Sequence, residues 1–382
     1  MHLQDKYTEL LRNYIGDKGT IYFYWKGRVA LYALLKSMGI GEEDEVILPA
    51  FTCVVVSNAI LYLGAKPVYI DIDSDSYNTS LQNIQKLVTP KTKIIICQNT
   101  FGLSCDIDLI VNYARSNNIY TIEDCTHGFG GNYNNKPNGT WCDASFYSTQ
   151  WNKPFSTGIG GIALLNNMQF QNNLEIINKQ LLKPSFKEEK MLRALLFTRK
   201  NIITPSNYWM LLKLYRWLSK NKLVIGSSGG DEITGTNMPS DFFKATSKTQ
   251  IKEGIKSIEL FPILLKLRKE NATIYSEVLK ANGKKYVGEK YRANHSFLKY
   301  PILVKNREQF IAKAETAQIE LGEWFCSPLH PVLENELYKW GMKATNFPVA
   351  LHISRHIVNL PTDTNNIEKV KKFILDTIVD IL

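Results

Sequence analysis

The chain has 382 residues, 44% of them hydrophobic, and a formal net charge of +10. That length and apolar share exclude a disordered chain and give a full core with room for two domains, at the usual ~100–200 residues each. No window approaches the ~20 unbroken apolar residues of a spanning helix, and MHLQDKYTEL lacks the basic-then-apolar order of a secretory signal, so a cytoplasmic protein is expected. Arg28 to Met38 has helical spacing, Glu45 to Leu48 reads as a short strand, and Thr52 to Leu63 as a helix. Lys66 to Ile72, Lys93 to Gln98 and Ile119 to Glu123 are compact apolar strands, with a helix from Asp106 to Ser116 between the last two. Continuous apolar strands joined by helical crossovers are expected to lie parallel, buried on both faces. Asn132 to Gly139 has hairpin turn chemistry, and a strand resumes from Thr140 to Tyr147. A long helix is expected from Ser247 to Lys280 with Pro262 inside it, then a strand from Phe297 to Val304, a helix from Arg307 to Leu321 and a terminal helix from Asn366. This order predicts an α/β protein with a large, mostly parallel-sheet domain over residues 1–250 and a smaller α+β domain over 251–382.

The chemistry concentrates between IYTIEDCTHGFG and DASFYSTQWNKPFSTGIGG. Asp124 closes one strand, and Lys153 follows Ser148 by five residues, just before Gly158, Gly160 and Gly161. A lysine amine at a strand mouth can condense with the aldehyde of pyridoxal phosphate and shuttle protons at a substrate carbon. A buried aspartate keeps the pyridine nitrogen protonated, so that the ring accepts electrons when a C–H bond breaks. Asp124 alone would also suit a helix N-cap, and Glu123 beside it could take either job.

The six cysteines, at 53, 97, 105, 125, 142 and 326, form no CxxC pair and no cluster with histidine. They read as reduced packing residues, and no metal site is expected.

The blocks DEVILPAFTCVVVSNAILYLGAKPVYIDID, TIEDCTHGFGG, DASFYSTQWNKPFSTGIGGIALL, SPLHPV and FPVALHISRHIVNLP resemble those of the DegT-type (DegT/DnrJ/StrS) aminotransferases that act on nucleotide-linked keto-sugars. The resemblance runs from about Tyr24 to Leu382 and implies the aspartate-aminotransferase-like fold of fold-type I pyridoxal-phosphate enzymes. It implies Lys153 as the covalent lysine, Asp124 as the pyridinium partner and Ser148 as a phosphate ligand. Gly27 and Arg28 fall where the family has a Ser-Gly-Thr turn opening a helix, whose N-terminus suits a dianion. Arg28 in place of threonine would add a charge-assisted contact. His127 matches a residue near the ring hydroxyl, His330 one near the sugar, and Cys53 a position where relatives place an aromatic ring over the cofactor. Ile159 replaces an acidic residue common in the family.

The resemblance further implies a homodimer, L-glutamate as amino donor, and a substrate such as a nucleotide-linked 4-keto-6-deoxyhexose for surface polysaccharide. Three other classes stay open: a lyase of the same fold, a sugar dehydratase, in which the lysine becomes histidine, and a non-catalytic regulatory homologue.

Residues 181–222 hold ten Lys and Arg against Glu188 and Glu189, together with a Trp, Tyr, Leu and Met cluster at 209–218. Packing on the domain or a partner subunit, closure over the substrate's diphosphate, and contact with a membrane surface are all open for this segment. A nucleic-acid role is not expected, since the basic cluster is single and lacks a recognised module.

Overall fold

The computed structural model describes residues 2–204, 207–221, 223–226 and 230–382. In chain order the strands are β1 (Thr20–Tyr24), β2 (Glu45–Pro49), β3 (Thr52–Cys53), β4 (Lys66–Ile70), β5 (Thr92–Gln98), β6 (Tyr120–Asp124), β7 (Asn132–Tyr133), β8 (Lys136–Pro137), β9 (Ala144–Ser148), β10 (Gly161–Leu165), β11 (Tyr300–Leu303), β12 (Leu329–His330) and β13 (Ile357–Leu360). The helices of the first half are α1 (Leu3–Ile15), α2 (Gly27–Ser37), α3 (Val54–Leu61), α4 (Leu81–Gln85), α5 (Ile107–Ser116) and α6 (Gln171–Asn178). They are followed by α7 (Phe186–Asn201), α8 (Tyr208–Lys220), α9 (Gly230–Thr234), α10 (Lys248–Ala281), α11 (Glu289–Arg292), α12 (Arg307–Thr316), α13 (Pro348–His356) and α14 (Ile367–Asp376).

Seven strands form one sheet in the order β1-β10-β9-β6-β5-β2-β4. From β9 to β4 the neighbours run parallel, while β10 and β1 add an antiparallel edge. Successive residues of the central strands face opposite sides: Val46, Leu48, Ile94 and Ile96 enter the core beneath α2 and α3, while Ile47, Ile95 and Cys97 pack with Ile107 and Ile110 of α5. Burial on both faces explains why these strands read as unbroken apolar runs. The protein is an α/β fold with a mostly parallel central sheet.

Several boundaries differ from the sequence expectation for local reasons. The segment expected to be helical from Thr52 opens as β3, because the Thr52 N–H donates to the Pro328 carbonyl and β3 pairs in parallel with β12; the helix proper starts at Val54. The helix expected to reach Leu321 stops at Thr316, and Gln318 lies at φ 52°, outside the right-handed helical region. The strand expected from Thr140 starts at Ala144, after a turn in which the Thr140 N–H donates to the Pro137 carbonyl.

Helix α10 starts at a reciprocal cap. The Ser247 hydroxyl accepts from the Gln250 N–H at 3.3 Å, and the Gln250 side chain accepts from the Ser247 N–H at 2.7 Å. Pro262 lies inside this helix. Ile251, Ile255, Ile258 and Phe261 in its first half pack with α1 residues Tyr7, Leu11 and Ile15. Ala272, Tyr275 and Leu279 in its second half pack with β11, β13 and α14 residues. We propose α10 as the bridge between the two domains expected at 1–250 and 251–382.

Strand alternation also separates the two adjacent acids at the end of β6. Glu123 is fully buried, accepting from the Asn99 side chain at 2.9 Å and the Gly139 N–H at 2.7 Å. Burial lifts its pKa to about 7, against the pull of those donors. Glu123→Ala leaves both donors unmet, and urea denaturation should register a loss of about 2–5 kcal/mol, whereas Glu123→Gln, whose single amide oxygen still meets one of the two donors, should cost less. Equal stability of the two variants would remove the structural role assigned to this carboxylate.

Candidate active site

The site forms where the C-terminal ends of parallel strands meet the first turn of α2, the location that open α/β sheets offer to ligands. In the register of the sheet, Asp124 pairs with Phe146 on β9, and Ser148 ends β9 opposite Gly161. Two close approaches fix α2 over this edge. A Cβ on Gly27 would lie 2.9 Å from the Ser148 Cβ, and one on Gly161 would lie 2.2 Å from the Lys26 carbonyl oxygen. Only residues without side chains fit there. Lys26 is extended and offers no side-chain cap, so the first N–H groups of α2, that of Gly27 among them, have no intrahelical acceptor.

Lys153 lies in a tight loop whose own N–H donates to the Gln150 carbonyl at 3.1 Å. The loop is pinned from α10: Arg268 donates to the Pro154 carbonyl at 2.9 Å, and Ser257 to the Ser156 carbonyl at 2.7 Å. Phe155 is buried against Phe129 and Phe261. The Lys153 side chain is half-buried, and its amine lies 4.6 Å from the centroid of the Trp324 ring. Burial lowers its pKa to about 8; Cys53 and Asp124 pull it back up, and Arg28 pushes it down.

Asp124 is buried and accepts from the Thr126 N–H at 2.9 Å. Burial raises its pKa, while Thr126 and the Lys153 charge counter that rise. His127 is buried too, with Nδ1 accepting from the Phe101 N–H at 3.3 Å, which leaves Nε2 to carry the proton. Its pKa lies well below the ordinary histidine value, chiefly through burial and then through the Lys153 charge. The neutral imidazole lies flat against Trp324, with centroids 4.7 Å apart and planes at 11°.

His330 comes to the site through the β3–β12 pairing, directly across from Cys53. Its Nδ1 lies 3.2 Å from the Cys326 sulfur. Burial, followed by the charges of Arg307 and Lys153, brings its pKa down to about 3, so it is neutral throughout the working range.

Arg28 is buried and holds the Glu232 carboxylate at 2.5 Å; Lys26 lies 3.9 Å from the same carboxylate. Burial and the nearby Arg28 lower the Lys26 pKa to about 8. A carboxylate of the chain itself therefore marks this corner as a place where negative charge is stabilised.

Two residues here were not singled out from the sequence. Trp324 stands in GEWF, six residues before His330, and it is this ring that lies against both His127 and Lys153, whereas Cys53 occupies the position where an aromatic was looked for. Its proximity to SPLHPV was the one available signal. Glu232 gave none, since its partner Arg28 lies about 200 positions earlier. Ile159, whose replacement of an acid had no explanation in the sequence, is fully buried with Trp25 and with Leu192 of α7.

The model of the DegT/DnrJ/EryC1/StrS aminotransferase family matches residues 3–197 and 249–377, and the chain belongs to that family. The GDP-perosamine synthase of Escherichia coli O157:H7 is 42% identical over 141 residues, which is 37% of this chain and 39% of that protein's length. The uncharacterized protein MJ1066 of Methanocaldococcus jannaschii is 27% identical over 365 residues, covering 93% of this chain and 84% of the relative. Among solved structures, a DegT DnrJ EryC1 StrS aminotransferase from Brucella abortus superposes with a TM-score of 0.73 at 20% identity, over 98% of this chain and 90% of that one, a likeness of fold.

The donor set fits pyridoxal phosphate. A lysine of depressed basicity, a buried carboxylate, and a helix mouth bearing glycine, serine and arginine are the groups that its aldehyde, ring nitrogen and phosphate each require. Because Glu232 already holds Arg28, a phosphate bound at this helix mouth would compete with it. Glu232→Gln is expected to tighten binding of pyridoxal phosphate by roughly tenfold, as one charge-assisted contact of about 1.5 kcal/mol is released to the ligand. Fluorescence titration of cofactor-free protein measures this, and weaker binding by the variant would show that Glu232 supports the cradle instead of competing for it.

Proposed function

We propose that the protein is a pyridoxal-phosphate-dependent aminotransferase that delivers an amino group from L-glutamate to a nucleotide-linked keto-sugar, such as a 4-keto-6-deoxyhexose, for surface polysaccharide. The reading rests above all on one observation, the Lys153 loop that α10 pins through Arg268 and Ser257, which places the amine beside the Trp324 ring, where burial lowers its pKa to about 8. Membership of an aminotransferase family and the similarity to a GDP-perosamine synthase support it. The homodimer implied by the family resemblance belongs to the same proposal.

When bound, pyridoxal phosphate supplies an aldehyde to take up the amino group and a ring to accept electrons from a broken C–H bond. Gly27, Arg28 and Ser148 would hold its phosphate, and Asp124 would hold a proton on the ring nitrogen. His127, with Nδ1 committed to Phe101, has an Nε2 proton for an oxygen on the ring. Cys53 borders the same space from β3. Lys153, a base whose pKa lies near working pH, would take a proton from the substrate carbon and hold it for return. Trp324 lies over that amine and limits the approach of water. His330, being neutral, can serve a sugar hydroxyl as donor or acceptor but adds no charge for a diphosphate.

In cofactor-free protein the amine loses its proton as pH rises through about 8, so the rate of cofactor uptake should climb with that midpoint instead of near 10.5. Asp124→Asn removes a charge that raises this pKa, and the midpoint should move to lower pH. Stopped-flow absorbance reads both, and an unchanged midpoint in the variant would separate the two residues.

The function itself is tested by supplying glutamate with UDP-, dTDP- and GDP-linked 4-keto-6-deoxyhexoses and identifying the aminated sugar by mass spectrometry. Lys153→Ala should lose at least about 10³-fold in turnover. Turnover of this variant at the wild-type rate, or the absence of any aminated sugar from a cofactor-loaded enzyme, would overturn the proposal.

A further inference from the structure

The basic, aromatic segment takes no part in the chemistry above, and most of it falls in residues 198–248, between the two stretches that the family model matches. Lys222 and the side chains of Arg216 and Lys220, counted in its charge, lie outside the described residues. Helix α7 turns Leu192 inward against Trp25 and Ile159. Its opposite side, at spacings of four, three, four and three, presents Phe186, Lys190, Arg193, Phe197 and Lys200, all exposed. Phe186 is 80% and Phe197 62% exposed, extreme values for phenylalanine.

Helix α8 repeats the pattern. Trp209 and Leu212 line a hollow with Ile311 and Ile319 beside α12. The other side presents Met210, Lys213, Leu214 and Trp217, again all exposed. Lys190, Lys200 and Lys213 enter no ion pair among the described residues, whereas Arg193 bonds Glu189. The end of the segment is tied back to α7, where the Ile225 N–H meets the Met191 sulfur at 3.2 Å.

We propose that these two stripes dock the protein on the surface of an anionic lipid bilayer. Large apolar side chains alternating with cations on one helix face suit a headgroup boundary: the apolar groups enter the acyl edge while the cations stay among phosphates. A contact with a second copy of the chain is disfavoured by the same charges. A two-fold interface sets a patch against itself, and these stripes hold no carboxylate that could meet their lysines across it. No helix among the described residues is long and apolar enough to cross a membrane, so the contact is peripheral.

The full-length, cofactor-loaded protein should sediment with vesicles of phosphatidylcholine containing about one-third phosphatidylglycerol and should stay in solution with phosphatidylcholine alone. Binding should disappear at about 0.5 M salt, where the screening length is only a few ångströms. Lys190→Glu combined with Lys213→Glu should weaken partitioning by about tenfold or more, and Phe197→Ser combined with Trp217→Ser should weaken it comparably. Both double variants should keep wild-type turnover in vesicle-free buffer. No sedimentation at low salt, or equal sedimentation with neutral vesicles, overturns the proposal. It is overturned equally if the variants split an oligomer in sedimentation velocity while vesicle binding is unchanged, which would make this face a subunit contact.

Discussion

Burial moves the proton affinities of an amine and a carboxylate in opposite directions, and the attraction between their charges limits both shifts. At Lys153 burial prevails and the amine settles near pKa 8; at Asp124 the neighbouring ammonium and Thr126 hold back the rise that burial produces. The surrounding architecture serves to keep that balance. The parallel sheet brings Asp124 and Ser148 to neighbouring strand ends, α10 fastens the lysine loop through Arg268 and Ser257, and the Trp324 ring lies over the amine. A loop free to swing into water would return Lys153 to an ordinary surface lysine.

Much of this was legible in the sequence because it is local. The apolar runs of β5 and β6, the strand-end position of Asp124 and the short interval from Ser148 to Lys153 are each contained within a few residues, where side-chain period and turn chemistry act directly. The helix opening at Gly27 was also readable, although the reason glycine is required there, its approach to the Ser148 Cβ, belongs to the folded sheet. Contacts between distant segments were not readable. Glu232 meets Arg28, Gln250 reaches the Trp25 and Ile159 carbonyls, and Cys53 meets His330, each by virtue of topology. The antiparallel edge formed by β10 and β1 was hidden for a similar reason, since strand direction is set by the path of the connection and not by composition.

The ring beside the lysine comes from a different element than the one the resemblance pointed to. The resemblance looked for an aromatic at position 53, where this chain has a cysteine; the indole instead arrives from the segment after α12, about 270 positions later, and its backbone is fastened by Asn359 at 3.0 Å. Ile159 makes the complementary point. Its departure from the family pattern is accounted for by α7, whose Leu192 needs an apolar neighbour at that spot.

The ion pair at the mouth of α2 has a further implication for how the apoprotein lives. Because Glu232 neutralises Arg28 from within, the chain can close this corner without importing a counterion. In the proposed function, Arg28 would exchange this internal carboxylate for the cofactor phosphate, one anion for another.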